Sequence, residues 1–315
     1  MHASVIVPAR DAQATLPRTL AALARQEIDC EYEVIVIDDG SCDRTAQLAL
    51  EAPGPVTVVA QPPSGPAAAR NAGVARSRGE ALVFCDADTF PMPRWLRSGL
   101  EALAGADIVQ GKVLPDPMAT LGPFDRTIWI TSEAGLWESA NLFVSRELFD
   151  RIGGFEEWIR PRNGKALAED VWFGYRAQRL GARAAFCEDA LAYHAVFRRD
   201  WRGYVAERRR LQYFPAIVRK APELRRTFLY RRAFLNERTA RLDLAFAGAL
   251  LAAVGRSLWP LVAGAPYLRA LLADSRRGGP GGPSSPVVAI ADLSADLVGL
   301  MAMLQGSVRY RSFLL

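Results

Sequence analysis

Two acidic pairs near the start of the chain stand where side chains could bind a cation or a nucleotide. Asp86 and Asp88 follow an apolar run, and carboxylates two residues apart on extended backbone can hold one Mg²⁺ or Mn²⁺ together. Asp38 and Asp39 follow another apolar run, where a carboxylate can accept a hydrogen bond from a base N–H or a ribose hydroxyl. Taken singly, each pair is more typical of a polar turn or a helix cap than of a site.

Three further positions offer complementary chemistry. Arg70 could pair with a pyrophosphate, although a lone arginine on a helix is more often a surface residue. Glu169 and Asp170 begin a helical pattern, where acids either cap the helix or act as a general base beside an acceptor hydroxyl. His194 follows a short apolar run and is a candidate third metal ligand, although a lone histidine is more often structural.

The elements that must position these residues are strands and helices, which alternate along the chain. Apolar runs at 4–7, 34–37, 56–59 and 81–85 are separated by helical patterns, which predicts a mostly parallel sheet covered on both faces. In such a sheet the ligand crevice lies beyond the carboxyl ends of the strands, where the acidic pairs stand. Less regular elements are predicted further on: strands at 107–113, 142–144, 184–186 and 191–193, and a helix at 169–180.

Composition narrows the class of protein. The chain has 315 residues, of which 50% are hydrophobic and 23% charged, which excludes a disordered, collagen-like or disulfide-stapled protein. The four cysteines lie far apart with no CxxC pair and predict buried, reduced thiols in the cytosol. The first apolar run stops at Pro8, too early for a secretory leader, and no P-loop, GxGxxG or GxSxG motif is present.

Taken in order, five blocks of sequence resemble the family 2 glycosyltransferases, which have a GT-A fold. The blocks are residues 4–23, 33–45, 65–91, 140–157 and 169–181, and together they cover roughly residues 3–195. The resemblance implies an inverting transfer of a sugar from a nucleotide-sugar donor to an acceptor hydroxyl, assisted by a divalent cation, Mg²⁺ or Mn²⁺. It also implies a mostly parallel sheet flanked by helices. The remaining tail is similar to the membrane-associated helices of many bacterial members.

The same resemblance implies a role for each candidate residue. Asp170 would be the catalytic base and Glu169 would help to position acceptor or sugar. Asp88 and Asp86 would hold the cation, with His194 as a ligand that only some relatives have. The residues implied to contact the nucleotide sugar are Pro8, Ala9, Arg10, Asp39, Arg70, Asp86, Asp88 and Asn141.

Positive charge is concentrated in one segment. Residues 198–232 carry twelve Arg and Lys against three acids, interleaved with aromatic residues, while the whole chain has a net charge of +5. Such a segment suits an anionic membrane surface, nucleic acid or a solvated helix face. The apolar residues that follow favour the membrane, and no nucleic-acid reader motif supports the second alternative.

The pattern of the tail predicts association with a membrane but does not favour a span across the bilayer. Residues 244–263 are long enough to span it, but Arg256 and Pro260 are unfavourable within a span. Asp292 and Asp296 make the last apolar stretch a poor span as well. We expect interfacial or re-entrant helices, with a hairpin packed on the catalytic domain or on a second subunit as the alternative. The expected domains are a catalytic domain at 1–197, a basic amphipathic helical segment at 198–241 and apolar helices at 242–315, with a linker at 275–286.

These observations predict a peripheral or monotopic enzyme at the cytoplasmic face of the cell membrane. Its acceptor would be a lipid-linked saccharide or a polyprenyl phosphate, in the synthesis of a cell-envelope polysaccharide or glycolipid. A homo-oligomer could form through the C-terminal helices. Two alternatives remain: a nucleotidyltransferase, which would want a Gly-rich basic loop after the first strand, and a membrane adaptor with a degenerate transferase domain.

Overall fold

The computed structural model describes residues 2–159, 167–274 and 285–314. The chain divides into two compact units. The sheet unit comprises Met1–Ala119 and Thr127–Val196, and the helical unit comprises Thr120–Arg126 and Phe197–Leu315. Of the predicted linker, residues 275–284 lie outside the described residues, and residues 285–286 already belong to the last helix.

In the described residues the sheet unit has a single sheet of eight strands in the order β3-β2-β1-β4-β7-β6-β8-β5. Strands β3, β2, β1 and β4 are adjacent in this order, and each is parallel to its neighbours within this group. Strand β7 is antiparallel to both β4 and β6, and β5 is antiparallel to β8, so the sheet is mixed beyond β4. The strands are β1 Ala3–Ala9, β2 Tyr32–Asp38, β3 Val56–Ala60, β4 Ala81–Cys85, β5 Thr89–Pro91, β6 Ile108–Pro115, β7 Asn141–Ser145 and β8 Ala184–His194.

Helices cover the sheet and build the helical unit. Those of the sheet unit are α1 Leu16–Leu23, α2 Thr45–Leu50, α3 Pro66–Arg76, α4 Trp95–Leu103, α5 Arg146–Ile152 and α6 Glu169–Arg179. Those of the helical unit are α7 Trp201–Glu207, α8 Phe214–Lys220, α9 Leu224–Thr227, α10 Glu237–Gly255, α11 Ala265–Asp274 and α12 Ser285–Tyr310, with 3₁₀ segments at Arg208–Tyr213 and Trp259–Gly264. The basic segment therefore forms several short helices and not one amphipathic helix.

The central strands are apolar on both sides because both faces of the sheet are buried. Successive residues of β1 point to opposite faces, and Val5 and Ile6 belong to different core clusters, both fully buried. The parallel register pairs Ala9 with Asp38, so the ends of β1 and β2 are level. This alignment places the loops after β1, β2 and β4 at one edge of the sheet.

The prediction of two short strands at 184–186 and 191–193 is wrong, because the structure has one strand, β8. A register shift in its pairing with β6, between Gly111 and Val113, accommodates the exposed acids Glu188 and Asp189 that break the apolar pattern. The continuous strand has a consequence for the site. It pairs His194 with Thr89 of β5 and so brings the histidine next to Asp88.

Candidate functional site

The loops after β1 and β2 are tied together at the edge of the sheet. Asp39 N–H donates to the Ala9 carbonyl at 2.9 Å, and Asp11 N–H donates to Ser41 Oγ at 3.0 Å. In return, the Asp11 carboxylate accepts from Cys42 N–H at 2.8 Å. Two loops fixed in this way form a preorganised rim for a ligand.

The predicted nucleotide residues differ in how they meet this rim. Ala9 is buried and Pro8 partly buried, since both belong to β1, while the Arg10 side chain is 46% exposed. Cys42 is exposed on the second loop, which corrects the expectation that all four cysteines are buried. Of the predicted residues Pro8, Ala9 and Arg10, it is therefore Arg10 that exposes a charged group to a ligand.

Asp39 is buried and holds the loop that leads into α3. Its Oδ1 accepts from Gln61 Nε2 and from Ser64 N–H, both at 2.7 Å, and its Oδ2 accepts from Gly65 N–H at 2.9 Å. Gly65 has φ +94°, a conformation that favours glycine. A carboxylate has about four acceptor positions, so Oδ2 keeps one for a ligand.

Arg70 lies beneath the site and links two of the predicted acids. Its side chain is 6% exposed; Nη2 binds Asp86 Oδ1 at 3.0 Å and Nη1 binds Glu169 Oε1 at 3.2 Å. The guanidinium also lies over the ring of Phe155, 5.6 Å from its centroid. The structure thus brings the end of β4 and the start of α6 together through Arg70. The sequence analysis had predicted that this arginine contacts the nucleotide.

Asp170, unlike its neighbour Glu169, has no arginine bonded to it in the described structure. Burial, followed by the charge of Glu169 and that of Glu138, raises the pKa of Asp170 to about 8, although Arg70 works in the opposite direction. Its Oδ1 accepts from Val171 N–H at 2.8 Å. A carboxyl group with a raised pKa in a cleft is suited to accept a proton near neutral pH.

Glu138 belongs to this acidic group although the sequence did not single it out. Burial raises the pKa of Glu138, and its carbonyl accepts from Gln110 Nε2 at 3.1 Å. The preceding Trp137 has φ +56° and is fully buried, and a Cβ at Gly174 of α6 would lie 2.1 Å from its Cδ1. Because Gly174 follows Asp170 by four residues, Trp137 covers the face of α6 that carries the predicted base. The sequence signal that could have indicated this contact is Gly174, which lies four residues after Asp170 and therefore on the same face of the helix.

Asp88 and His194 form a carboxylate–imidazole pair, with 3.4 Å between Oδ1 and Nε2. His194 is 2% exposed, and its Nδ1 lies 2.7 Å from the Ala195 carbonyl, so an Nδ1–H tautomer leaves the Nε2 lone pair facing Asp88. Burial opposes the charge of His194, but in the charged form Nε2–H donates to Asp88, and this hydrogen bond together with the charge of Asp88 raises the pKa of the histidine.

This pair fits a divalent cation in its chemistry. Two acceptors that face each other need either a proton or a cation between them, and an imidazole held at Nδ1 by a carbonyl is a common arrangement for a metal ligand. Within the described ranges, no group of three or more His, Cys, Asp and Glu side chains is close enough to hold a metal ion. Further oxygen ligands would have to come from elsewhere, and a diphosphate supplies them.

Asn141 does not reach the open part of the site. Its side chain is fully buried: Oδ1 accepts from Trp95 Nε1 at 2.8 Å, and Nδ2 donates to the carbonyls of Lys112 and Ala190 at 2.9 and 2.8 Å. Both amide hydrogens are thus used between strands and a helix. Asn141 is therefore placed as a structural residue of the framework, whereas the sequence predicted that it contacts the donor.

Comparison with known proteins identifies the class of this site. Residues 4–156 match the model of glycosyl transferase family 2. The similar curated proteins include glycosyltransferase AglE of Haloferax volcanii, 27% identical over 206 residues that cover 61% of this chain and 66% of the relative. Another is the probable glycosyltransferase YdaM of Bacillus subtilis, 27% identical and covering 60% of this chain and 50% of the relative. The comparisons therefore identify residues 4–156 as a region of glycosyl transferase family 2, and the matches span between half and two thirds of these two relatives.

Solved structures give the same fold. The mannosyltransferase PcManGT from Pyrobaculum calidifontis, in complex with GDP-Man and Mn²⁺, superposes with a TM-score of 0.56 at 22% identity and covers 98% of this chain and 86% of its own. The structure of Staphylococcus aureus TarS 1–349 in complex with UDP-GlcNAc has a TM-score of 0.54 at 17% identity, covering 99% and 93%. These similarities confirm the predicted GT-A fold.

Proposed function

We propose that the protein is an inverting glycosyltransferase that moves a sugar from a nucleotide-sugar donor to an acceptor hydroxyl. The observation that carries the proposal is the arrangement at Arg70, which joins Asp86 at the end of β4 to Glu169 beside Asp170. One short link thus connects an acidic strand end, suited to a donor phosphate, with a carboxyl group suited to take a proton. The family match and the nucleotide-sugar complexes of the structural neighbours support it.

The donor would lie along the rim formed by the loops after β1 and β2. Pro8 and Ala9 shape this rim, and the exposed Arg10 guanidinium, 4.0 Å from the Asp11 carboxylate, would bind a phosphate or ribose. The open acceptor position on Asp39 Oδ2 suits an N–H of the base. Arg70 would act on the donor only indirectly, by holding Asp86.

A divalent cation would be held by Asp88 with His194, and by Asp86 through the oxygen that Arg70 leaves available. When bound, Mn²⁺ or Mg²⁺ neutralises the charge that grows on the leaving diphosphate. The Mn²⁺ in the complex of PcManGT supports this choice of cation.

The residues of this chain then divide the chemistry between them. The acceptor hydroxyl attacks the anomeric carbon on the side opposite to the leaving nucleoside diphosphate, and Asp170 takes its proton as the bond forms. Glu169 is held by its bond to Arg70 and would help to orient the acceptor or the sugar. One displacement without a covalent intermediate inverts the anomeric configuration.

The acceptor is proposed to be a lipid-linked saccharide or a polyprenyl phosphate at the cytoplasmic face of the membrane. The basic segment and the apolar helices that follow it support this location. The chain is also 33% identical over 114 residues to an undecaprenyl-phosphate 4-deoxy-4-formamido-L-arabinose transferase of Pseudomonas fluorescens, covering 34% of this chain and 33% of that protein. The product would serve a cell-envelope polysaccharide or glycolipid. The adaptor is not favoured because Asp86, Asp88 and Asp170 are intact, and the nucleotidyltransferase is not favoured because the residues after β1, Pro8-Ala9-Arg10-Asp11, do not form a Gly-rich basic loop.

A panel of nucleotide sugars tests the proposal. The full chain is mixed with UDP-, GDP- and dTDP-sugars and Mg²⁺ or Mn²⁺, thermal unfolding is followed, and release of nucleoside diphosphate is measured with and without a polyprenyl phosphate. We expect one donor to raise Tm in a cation-dependent way and to yield a product of inverted anomeric configuration by NMR. No donor raising Tm with either cation, or a product of retained configuration, would overturn the proposal.

A further inference from the structure

An apolar helical hairpin stands out in the helical unit. It consists of residues 244–273 and contains most of α10, the 3₁₀ segment and α11; we call it the apolar hairpin. Its outer face exposes large apolar side chains, with Leu258 80% and Trp259 83% exposed. The other exposed members are Leu244, Phe246, Leu250, Leu251, Val254, Leu261, Val262, Leu268 and Leu272. A contiguous apolar surface of this extent marks an interaction site.

The inner face of the hairpin is closed by small residues. A Cβ at Gly248 would lie 2.4 Å from the Pro260 carbonyl oxygen and 3.0 Å from Ala263 Cβ, so the 3₁₀ segment folds back directly onto α10. Leu242 and Tyr267 pack together at its base. A helix pair that is apolar on its outside and packed through small residues on its inside is typical of protein that sits in lipid.

The charges of the apolar hairpin point to the same environment. Between residues 244 and 273 the sequence has no Asp or Glu, and its charged residues are Arg256 and Arg269. Both arginines are exposed. Arginine and a tryptophan near an apolar tip complement the anionic headgroups and the interfacial layer of a bilayer.

Helix α12 has the length and composition of a membrane span, but two of its acids are bonded to other residues of the helical unit. In the described residues, Pro286–Tyr310 is the one helix long and apolar enough to cross a membrane, with a mean hydropathy of 2.0. Its Asp292 accepts from Tyr204 at 2.9 Å, and its Asp296 accepts from Arg238 at 2.7 Å. A transfer of α12 into lipid would break these bonds and bury two acids.

We propose that the apolar hairpin, and not α12, is the membrane-binding element of this protein. Its tip at residues 250–262 enters the headgroup and upper acyl layer of an anionic bilayer without crossing it. Arg256, at φ +52°, ends α10, and Pro260 lies in the bend, so the chain turns back before it could span. The inference gives the proposed glycosyl transfer its location at a membrane and depends on that function only for its purpose.

Vesicle flotation of the full-length protein tests this assignment. The probes are liposomes of phosphatidylcholine with 30% phosphatidylglycerol and liposomes of pure phosphatidylcholine. The test variant is the double substitution Leu258→Glu/Trp259→Glu. The matched control is Met301→Glu/Val308→Glu on α12, whose side chains are 66% and 81% exposed. Exposed sites keep both variants foldable, which a donor-induced rise in Tm or an unchanged circular dichroism spectrum verifies.

The expected result is that the wild-type protein and the α12 control float with anionic vesicles, more than with neutral ones. The hairpin variant should lose at least about a hundredfold in partitioning, since each of the two apolar side chains that lipid would withdraw from water contributes at least about tenfold. Loss of flotation in the α12 control alone would overturn the assignment. So would a wild-type protein that does not float but is a dimer by light scattering and becomes a monomer in the hairpin variant. Either result leaves the donor-binding panel, and hence the proposed function, unaffected.

Discussion

At the scale of single residues, the site turns on two adjacent acids with different surroundings. Glu169 is buried and bonded to Arg70 at 3.2 Å. Asp170 has Glu169 and Glu138 as its acidic neighbours, and burial together with their charge raises its pKa to about 8. A raised pKa on one of two adjacent acids, with an arginine bonded to the other, is consistent with different roles for the two acids.

The raised pKa predicts the pH dependence of turnover. The base must be unprotonated, so kcat/KM should fall as the pH decreases through the neutral range, instead of near pH 4. Glu138→Gln removes a negative charge that helps to raise the pKa of Asp170, so it should move the acidic limb to lower pH. A pH–rate profile of both proteins checks this. An acidic limb that stays in place in Glu138→Gln would show that Glu138 does not act on the base.

The same group predicts a pH dependence of stability. Because the folded-state pKa of Asp170 lies above its unfolded value, its stabilising contribution is fully present below about pH 4 and is lost as the pH rises through about 8. Asp170→Asn, which stays neutral, should therefore raise Tm relative to wild type at pH 9 and change it little at pH 4. Equal Tm differences at the two pH values would argue against the raised pKa.

At the scale of elements, the apolar runs sufficed to predict β1 to β4 and helix α6. Each run is bounded by a clear break, such as Pro8 or the acidic pairs, and is apolar apart from Ser4 and Thr57. The pattern failed at β8 because Glu188 and Asp189 interrupt it, and only pairing with β6 restores a continuous strand. Helix α6 was predicted to within one residue of its end, because its acids and apolar positions follow one period.

The site was predictable where residue type alone limits the chemistry and not where long-range packing decides. Asp170 and Asp88 could be named as candidates because an acid at a helix start suits a general base and an acid at a strand end suits a cation ligand. The burial of Asn141 follows from Trp95 and two strands that the sequence does not show to be neighbours. Glu138 was missed because its position depends on the contact of Trp137 with α6.

That contact yields a prediction at the element scale. Gly174→Ala places a Cβ where Trp137 Cδ1 and Cγ now lie, each at 2.1 Å, so the loop before β7 or helix α6 must move. We expect a loss of about 1–3 kcal/mol of stability and a reduced kcat with a nearly unchanged donor affinity. Denaturant unfolding and steady-state kinetics measure these. Gly255→Ala, at a helical position without a positive φ and with nothing within 4 Å, controls for the backbone effect of replacing a glycine. A kcat equal to that of the control would separate Trp137 from catalysis.

At the scale of the whole molecule, the proposed chemistry and the proposed membrane contact belong to different units. The sheet unit contains the acids, the arginine link and the rim of loops, and it accounts for the match to glycosyl transferase family 2. The helical unit contains the basic segment and the apolar hairpin. Chemistry and location are therefore expected to respond to different substitutions.

The central claim is that acids at a strand end bind the cation and the donor, while an acid at a helix start accepts the proton. The most direct test is a calorimetric titration of the nucleotide sugar, with and without Mn²⁺, next to turnover, for Asp88→Ala and Asp170→Asn. We predict that Asp88→Ala abolishes the cation-dependent part of donor binding. Asp170→Asn should bind donor like the wild type and lose about 10²–10⁴ in kcat. Equal loss of donor binding and turnover in Asp170→Asn, or unchanged cation-dependent binding in Asp88→Ala, would contradict the account.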